Sequence, residues 1–427
     1  MKIVSLVTRL NVGGVTRHLA WLTEGLRRAG HECHLIAGKV AEGEGESDMS
    51  YFVREHGTEP QFLSEIEREV SLKDVAAIWK LYRIFCRLQP DIVDTHMTKA
   101  GVIGRAAGFL YRWLTPGTLI GSPRRVRFVH TYHGHVYHSH FGALKTKAFL
   151  YVERLLTRVV SDRIIVVSPL QFEQVHQDFG VGRAEQFAIV GYGVDPRPFD
   201  KSETRRDRLR DEIGAAPNDV LVGLIGRLTK IKNPTLFLQV AALYKQRYAA
   251  SDDYKVKFVL IGDGVLRPQL EQEVAARDLH DTVVFTGTRD DPEVFYPGLD
   301  IVAMTSYNEG VPLALLEALM NRRAIISTAA GGSPDLLGAT AERVNVNEAA
   351  AYRVCERGIL LDKPDADAYC AGLRRLIEDE DLRDALARRG YKRVHEQHTS
   401  DRMVGEIFRV FSELVPEKTI DLQAKTA

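Results

Sequence analysis

The sequence lacks several features that would assign it early. No apolar run reaches the ~18 residues that a membrane-crossing helix needs. The start, Met1 to Arg9, has too short an apolar stretch for a signal peptide and reads as a first buried strand. Cysteine is scarce. Cys33, Cys86, Cys355 and Cys370 are scattered and form no C-x-x-C pair, which argues against a zinc or disulfide framework and suits a reducing cytoplasm. Net charge is absent too: Lys+Arg and Asp+Glu both total 57, without the basic excess of a general nucleic-acid binder. There are no short-period repeats. The first strand is not followed by G-x-G-x-x-G, and the second ends in Ala37-Gly38-Lys39 with no acid for a ribose, so a nicotinamide dehydrogenase is disfavoured.

What is present is an ordinary globular composition over 427 residues, 45% hydrophobic and 27% charged. At roughly 150 residues per domain this makes two or three domains, each able to bury a core without staples. Short apolar runs alternate with amphipathic stretches. Ile3–Val7, His34–Ala37, Asp91–His96, Val126–Thr131 and Arg163–Ser168 read as strands. Val15, Leu19, Leu22 and Leu26 recur at helical spacing, and Ser71 is placed to cap a helix carrying Val75, Ile78, Leu81, Ile84 and Phe85. Gly, Pro and Asp collect in Gly191–Phe199, a domain junction. The alternation restarts with strands at Val220–Ile225, Val256–Ile261, Val283–Phe285, Asp300–Met304, Ala324–Ser327 and Gly358–Leu361, and helices at Pro234–Tyr248, Val265–Arg277 and Pro312–Arg322. From Asp365 to Leu414 the chain is mainly helical, and Gln423–Ala427 is expected to fray. Repeated β-α-β predicts two α/β halves with doubly wound parallel sheets, whose ligands sit at the carboxyl ends of strands.

The chemistry-bearing residues gather at those strand ends. Gly13-Gly14 opens the first helix, where backbone N–H groups can meet an anion, although a tight turn would use the same residues. Gly226-Arg227…Lys232 sets two cations between a strand and a helix, which suits a diphosphate; a solvated basic loop is the bland alternative. Gly262-Asp263-Gly264 and Gly331-Gly332-Ser333 allow close approach of a ligand or simply make turns. Glu309 lies in the loop before Pro312, and Glu317 lies about 8 Å along the following helix. One acid can reach a sugar and the other a ribose, with the Gly310 and Val311 amides aimed at an anion between them. His133, in Thr131-Tyr132-His133-Gly134-His135, ends a strand of the first half and can bond a sugar hydroxyl. The run His130, His133, His135, His138 and His140 lacks helix-borne spacing and any acid, so no metal site is expected there.

In this order, with Phe285-Thr286-Gly287 between, the motifs resemble the retaining family-4 glycosyltransferases of the GT-B fold, also called the glycosyl transferase group 1 family. Glu309 and Glu317, with seven residues between them, match the family's E-x7-E element, and the resemblance runs to about Gly358. It implies an N-terminal acceptor-side Rossmann-like domain (1–195), a facing C-terminal nucleotide-sugar domain (196–398) and a helix crossing back (399–427). It implies that Arg227 and Lys232 bind the donor diphosphate, that Glu317 takes the ribose, and that Glu309 contacts the donor sugar beside Gly310 and Val311. Gly226, Gly262, Asp263 and Gly264 join the donor set. His133 lies near the sugar, and Gly14 near the phosphate. No metal and no cofactor are needed. His96…Lys99-Ala100-Gly101 resembles an H-x-x-x-K-A-G segment of members that build bacterial surface polysaccharides from UDP-sugars on polyprenyl-linked acceptors, which places His96 and Lys99 on the acceptor side. Tyr192 stands where the family usually has Asn, Asn321-Arg322-Arg323 replaces Gly-x-Pro, and Gly338–Glu356 is longer than usual.

The implied activity is transfer of a hexose or N-acetylhexosamine, with retained configuration, to a glycan or lipid-linked acceptor. A UDP-sugar epimerase of the same fold and a non-catalytic sugar-nucleotide binder are the alternatives. Eleven basic residues from Lys99 to Arg163 face only Glu153 and Asp162 in that stretch, interleaved with Phe109, Leu110, Tyr111, Trp113 and Leu114. Either they form a solvated face over a core, or they dock a cytoplasmic enzyme on the anionic inner face of the plasma membrane.

Overall fold

The computed structural model describes residues 1–40, 48–67, 69–134, 143–248 and 255–418, the side chains of 143–145 excepted. His135, His138, His140 and the tail Gln423–Ala427 lie outside the described residues. The chain divides into two compact units: Met1–Gly193 with Ser400–Ala427, and Val194–Thr399.

The first unit is built on seven strands, β1 (Lys2–Val7), β2 (Glu32–Ala37), β3 (Gln61–Phe62), β4 (Ile92–His96), β5 (Arg127–Thr131), β6 (Arg163–Val166) and β7 (Phe187–Ile189). All pair in parallel, in the order β3-β2-β1-β4-β5-β6-β7. Helices cover both faces, so the central strands are buried along most of their length rather than alternately; Ile3, Val4, Leu6 and Val7 are all fully buried. The order reverses between β1 and β4, where a crevice opens at the carboxyl ends. Register there sets Val7 opposite His96, and His96 opposite Thr131. The last helix, Ser400–Leu414, belongs to this unit: Val404 fills the space beside Gly25, and Phe408 stacks on His31 at 5.0 Å.

The second unit has eight strands, β8 (Val220–Ile225), β9 (Val256–Ile261), β10 (Val283–Gly287), β11 (Ile301–Met304), β12 (Ala324–Thr328), β13 (Thr340–Asn345), β14 (Ala351–Cys355) and β15 (Gly358–Leu361). Their order is β10-β9-β8-β11-β12-β15-β14-β13. The reversal falls between β8 and β11, so the loops after β8, β11 and β12 emerge side by side.

Three local expectations need correction. The sheet is not purely parallel, because β13 and β14 form an antiparallel hairpin on its edge. That hairpin is the long Gly338–Glu356 segment, and β13 shows no alternation because it is exposed along most of its length. Ser71 does not cap the helix Lys73–Leu88; instead its backbone N–H donates to the Asp74 carboxylate at 3.2 Å. Pro312 stands just outside the helix Leu313–Met320 as its N-cap, with extended backbone.

Candidate functional site

In the second unit, the loop after β8 runs through Gly226, Arg227 and a 3-10 turn, Lys230–Lys232, into the helix Pro234–Tyr248. Thr305, just past β11, holds that turn by donating to the carbonyls of Lys232 and Asn233, both at 2.9 Å. Tyr307 N–H adds a bond to the Ile231 carbonyl. The two loops are therefore tied together, and their charged groups meet. Lys232 Nζ lies 2.5 Å from Glu309 Oε1, and Ser306 donates to the same oxygen at 2.6 Å. Arg227 is half-buried in the same loop.

Glu317 sits on the helix Leu313–Met320 and is almost wholly buried. A buried carboxylate needs hydrogen bonds, and Tyr296 supplies one, its hydroxyl donating to Oε2 at 2.9 Å. Gly332 N–H donates to the Gly310 carbonyl at 2.7 Å, which ties the loop after β12 to the one before the helix. Two glycines are obligatory for this approach. Gly262 has φ +141, and a Cβ there would lie 2.1 Å from the Gly226 carbonyl oxygen. Gly331 has φ +54, and its Cβ would lie 1.9 Å from that of Glu309. Asp263 accepts from Gly264 N–H and pairs with Arg267 at 3.1 Å. Arg227, Lys232, Glu309, Gly310, Val311 and Glu317 thus belong to one set of interlocked loops with Gly226, Gly262, Asp263 and Gly264.

The remaining candidates lie in the first unit. Gly13 and Gly14 begin the helix Gly14–Arg28, which no side chain caps. A Cβ at Gly13 would meet nothing, so the fold itself does not demand glycine there. His96 closes β4 and His133 follows β5, and the strand register brings them together. His96 Nδ1 lies 2.7 Å from His133 Nε2, and His133 Nδ1 lies 2.6 Å from the Tyr192 hydroxyl. Both His133 nitrogens therefore have partners inside their own unit. His96 Nε2 lies 2.9 Å from Asp94 Oδ2. His18, in the first turns of its helix, packs edge-on against His96, His133 and Tyr192. Burial holds the His18 and His133 imidazoles well below the usual pKa and pushes the Tyr192 phenol up, so all three stay neutral.

His96 and Lys99 are not brought into one site. Lys99 Nζ pairs with Asp74 at 2.8 Å and donates to the Glu69 carbonyl, which ties it to the start of the helix Lys73–Leu88. His130 turns into the core, bonded to Thr95 at 2.9 Å. Of the eleven cations from Lys99 to Arg163, Arg105 is no surface charge at all. It is 0% exposed, paired with the equally buried Glu153 at 2.6 Å, and Tyr132 donates to that carboxylate. Arg112 and Arg127 share Asp162, and Arg124 stacks on Tyr111. Tyr111 is core rather than surface. Sequence reading missed His18, Ser306 and Tyr296, whose partners are set by tertiary contact; Tyr192 was visible only as a departure from a motif.

Two family models match the chain. Glycosyltransferase Family 4 covers residues 12–197, and Glycosyl transferases group 1 covers residues 205–393. Among curated relatives, the UDP-Gal:alpha-D-GlcNAc-diphosphoundecaprenol alpha-1,3-galactosyltransferase of Escherichia coli is 25% identical over 331 residues, 75% of each protein. The capsular polysaccharide biosynthesis glycosyltransferase CapM of Staphylococcus aureus is 21% identical over 92% of this chain and 93% of its own. Among solved structures, Anabaena Alr3699/HepE in complex with UDP and glucose superposes with a TM-score of 0.74 at 20% identity, covering 96% of this chain and 99% of that one.

Proposed function

Because the chain belongs to the family-4, group 1 glycosyltransferases of the GT-B fold, we propose that it transfers a hexosyl or N-acetylhexosaminyl group from a UDP-sugar to a glycan or polyprenyl-linked acceptor in bacterial surface polysaccharide synthesis. The observation that carries this reading is the 2.5 Å contact between Lys232 and Glu309, which joins the cationic loop to the E-x7-E element. The E. coli galactosyltransferase, which acts on a diphosphoundecaprenol-linked sugar, and the S. aureus capsule enzyme support the substrate class. The neighbour solved with UDP and glucose supports a uridine donor.

In this reading the bond from the anomeric carbon to the diphosphate oxygen breaks as a bond to an acceptor hydroxyl oxygen forms on the same face. Negative charge grows on the leaving UDP, and Arg227 and Lys232 stabilise it most when it is greatest. These cations act in place of a metal at the donor diphosphate. The leaving phosphate accepts the acceptor's proton. Glu309 contacts the donor sugar and, through its bond to Lys232, aims the ammonium. Glu317 takes the ribose, and the Tyr296 bond fixes its rotamer. The Gly310 and Val311 amides and the glycine approaches at Gly226, Gly262 and Gly264 complete the donor set with Asp263. Gly14 approaches the phosphate. His133 positions the first unit's strand ends, with His96 beside it on the acceptor side. Lys99, bound to Asp74, supports that region from behind.

The test is UDP release with a lipid-linked acceptor. Lys232→Ala and Glu317→Ala should each cut turnover by about 10²–10³-fold while circular dichroism still shows a folded protein. Near-normal turnover in both contradicts the assignment. Proton NMR of the product reads the anomeric configuration, and retention is expected.

Peripheral docking of a cytoplasmic enzyme on anionic lipid is part of the same proposal. Among the described residues, no helix is long and apolar enough to cross a membrane. The helix Ala143–Val159 presents Lys147, Arg154 and Arg158 together with exposed Tyr151, Leu155 and Val159. Leu119 and Ile120 are 90% and 83% exposed, with Arg125 exposed nearby in sequence. Cations mixed with exposed apolar groups suit an anionic headgroup layer over acyl chains.

A further inference from the structure

We infer that His18, His96 and His133 form a binding site for a borderline divalent transition metal, zinc being the type ion, at the carboxyl ends of β1, β4 and β5. The three side chains come from a helix start and two strand ends that the sheet register places side by side. Each offers a ring nitrogen within 4.8 Å of the other two.

Three observations point to a ligand there. His18 is 2% exposed, and neither of its nitrogens has a hydrogen-bond partner among the described residues. An imidazole buried with both nitrogens unbonded is costly unless something binds it. His96 Nδ1 and His133 Nε2 face one another at 2.7 Å, a hydrogen bond whose proton an ion would displace. Behind those two rings stand a carboxylate and a phenol, the kinds of group that orient metal-bound histidines, although His96 Nε2 and Asp94 Oδ2 are not hydrogen-bonded to each other. His96 Nε2 lies 2.9 Å from the Asp94 carboxylate, and His133 Nδ1 lies 2.6 Å from the Tyr192 hydroxyl. A carboxylate behind a histidine fixes its tautomer and raises its basicity toward a metal.

Three imidazoles without a thiolate select zinc, cobalt or nickel over magnesium or calcium. Tetrahedral zinc with bonds of about 2.0–2.1 Å sets its nitrogens about 3.3 Å apart. On metal binding the His96–His133 pair therefore opens by a fraction of an ångström and His18 closes in. The ion would clamp the start of the helix Gly14–Arg28 to the ends of β4 and β5. A proton shared between His96 and His133 would also explain their contact, but it leaves His18 unbonded.

The site does not depend on the transferase reading, because its readout is metal content. Full-length protein purified without chelator should carry one zinc per chain. After dialysis against chelator it should take up one Co2+, giving visible bands of tetrahedral intensity, and zinc should raise its melting temperature. His18→Gln and His96→Gln should lose the stoichiometric ion, and Asp94→Asn should weaken it about 10–100-fold. A variant with His135, His138 and His140 all changed to Ala should retain it. Absence of stoichiometric uptake by the wild type overturns the inference, whether or not the variants fold. Loss of metal in the triple variant with retention in folded His18→Gln or His96→Gln does so equally.

Discussion

Lys232 and Glu309 neutralise each other at 2.5 Å, so the residue proposed for the diphosphate is oriented by the one proposed for the sugar. Glu309→Gln keeps the shape but removes the charge that aims the ammonium. Its turnover should fall at least tenfold while UDP still binds, as read by calorimetric titration against initial rates. At Gly331 the constraint is steric: Gly331→Ala drives a Cβ into the Glu309 carbonyl at a left-handed φ. It should lose activity even though no functional side chain has changed. Arg105 and Glu153 show the opposite case, a charged pair with no place in the chemistry. Both are fully buried, and removing one leaves the other uncompensated. Glu153→Ala should destabilise the first unit by about 3–5 kcal/mol in urea unfolding. Neither fact was legible beforehand. Arg105 looked like one more basic residue, because its partner lies 48 positions away and on another helix.

Strands and helices were the legible scale. The five first-half strands and six second-half strands read from apolar runs all stand in the structure within a few residues. Both faces of each sheet are covered, so most buried strands open on an apolar run, even where polar residues such as Asp94, Thr95 and His96 close it. What was missed were the two-residue β3, the short β7 and the edge hairpin of exposed β13 and half-buried β14. The cation loop and the E-x7-E helix were legible because strand ends are where ligands bind in such sheets. His18 was not, because it lies one residue before Leu19 on a helix whose pattern is read from its apolar positions. The cysteines offer a test at this scale. Burial pushes the Cys33 thiol in β2 up to about 12 and the Cys370 thiol on the helix Ala366–Glu378 up to about 11. A raised thiol pKa keeps the proton on, so little thiolate exists at pH 8 and attack on a disulfide reagent is slow. Labelling with such a reagent at pH 8 should spare both in the native protein and reach both in urea. Above the unfolded thiol pKa of about 8.5 the unfolded chain ionises first, so these shifts lower stability progressively as pH rises toward 11–12 and cost nothing below 8.5.

Over the whole molecule, the zero net charge conceals local imbalance. Many cations of the stretch from Lys99 to Arg163 are spent on Glu153, Asp162, Asp74 and backbone carbonyls, and the exposed remainder sits with apolar side chains. That remainder is small, so docking should be weak and salt-sensitive. Vesicles containing anionic lipid should retain the protein at low salt and release it at about 0.5 M salt, and Lys147, Arg154 and Arg158 all changed to Ser should abolish retention. Equal partition to neutral vesicles would leave no role for these cations. The central claim is that the second unit holds a UDP-sugar through Arg227, Lys232 and the E-x7-E acids. The most direct measurement is a panel of UDP-, GDP-, ADP- and dTDP-sugars read by nucleotide release with a polyprenyl-diphosphate sugar acceptor. Release of UDP from one or two UDP-sugars is expected, dependent on acceptor and lost in Lys232→Ala. Release that needs no acceptor, or that survives Lys232→Ala, would contradict it.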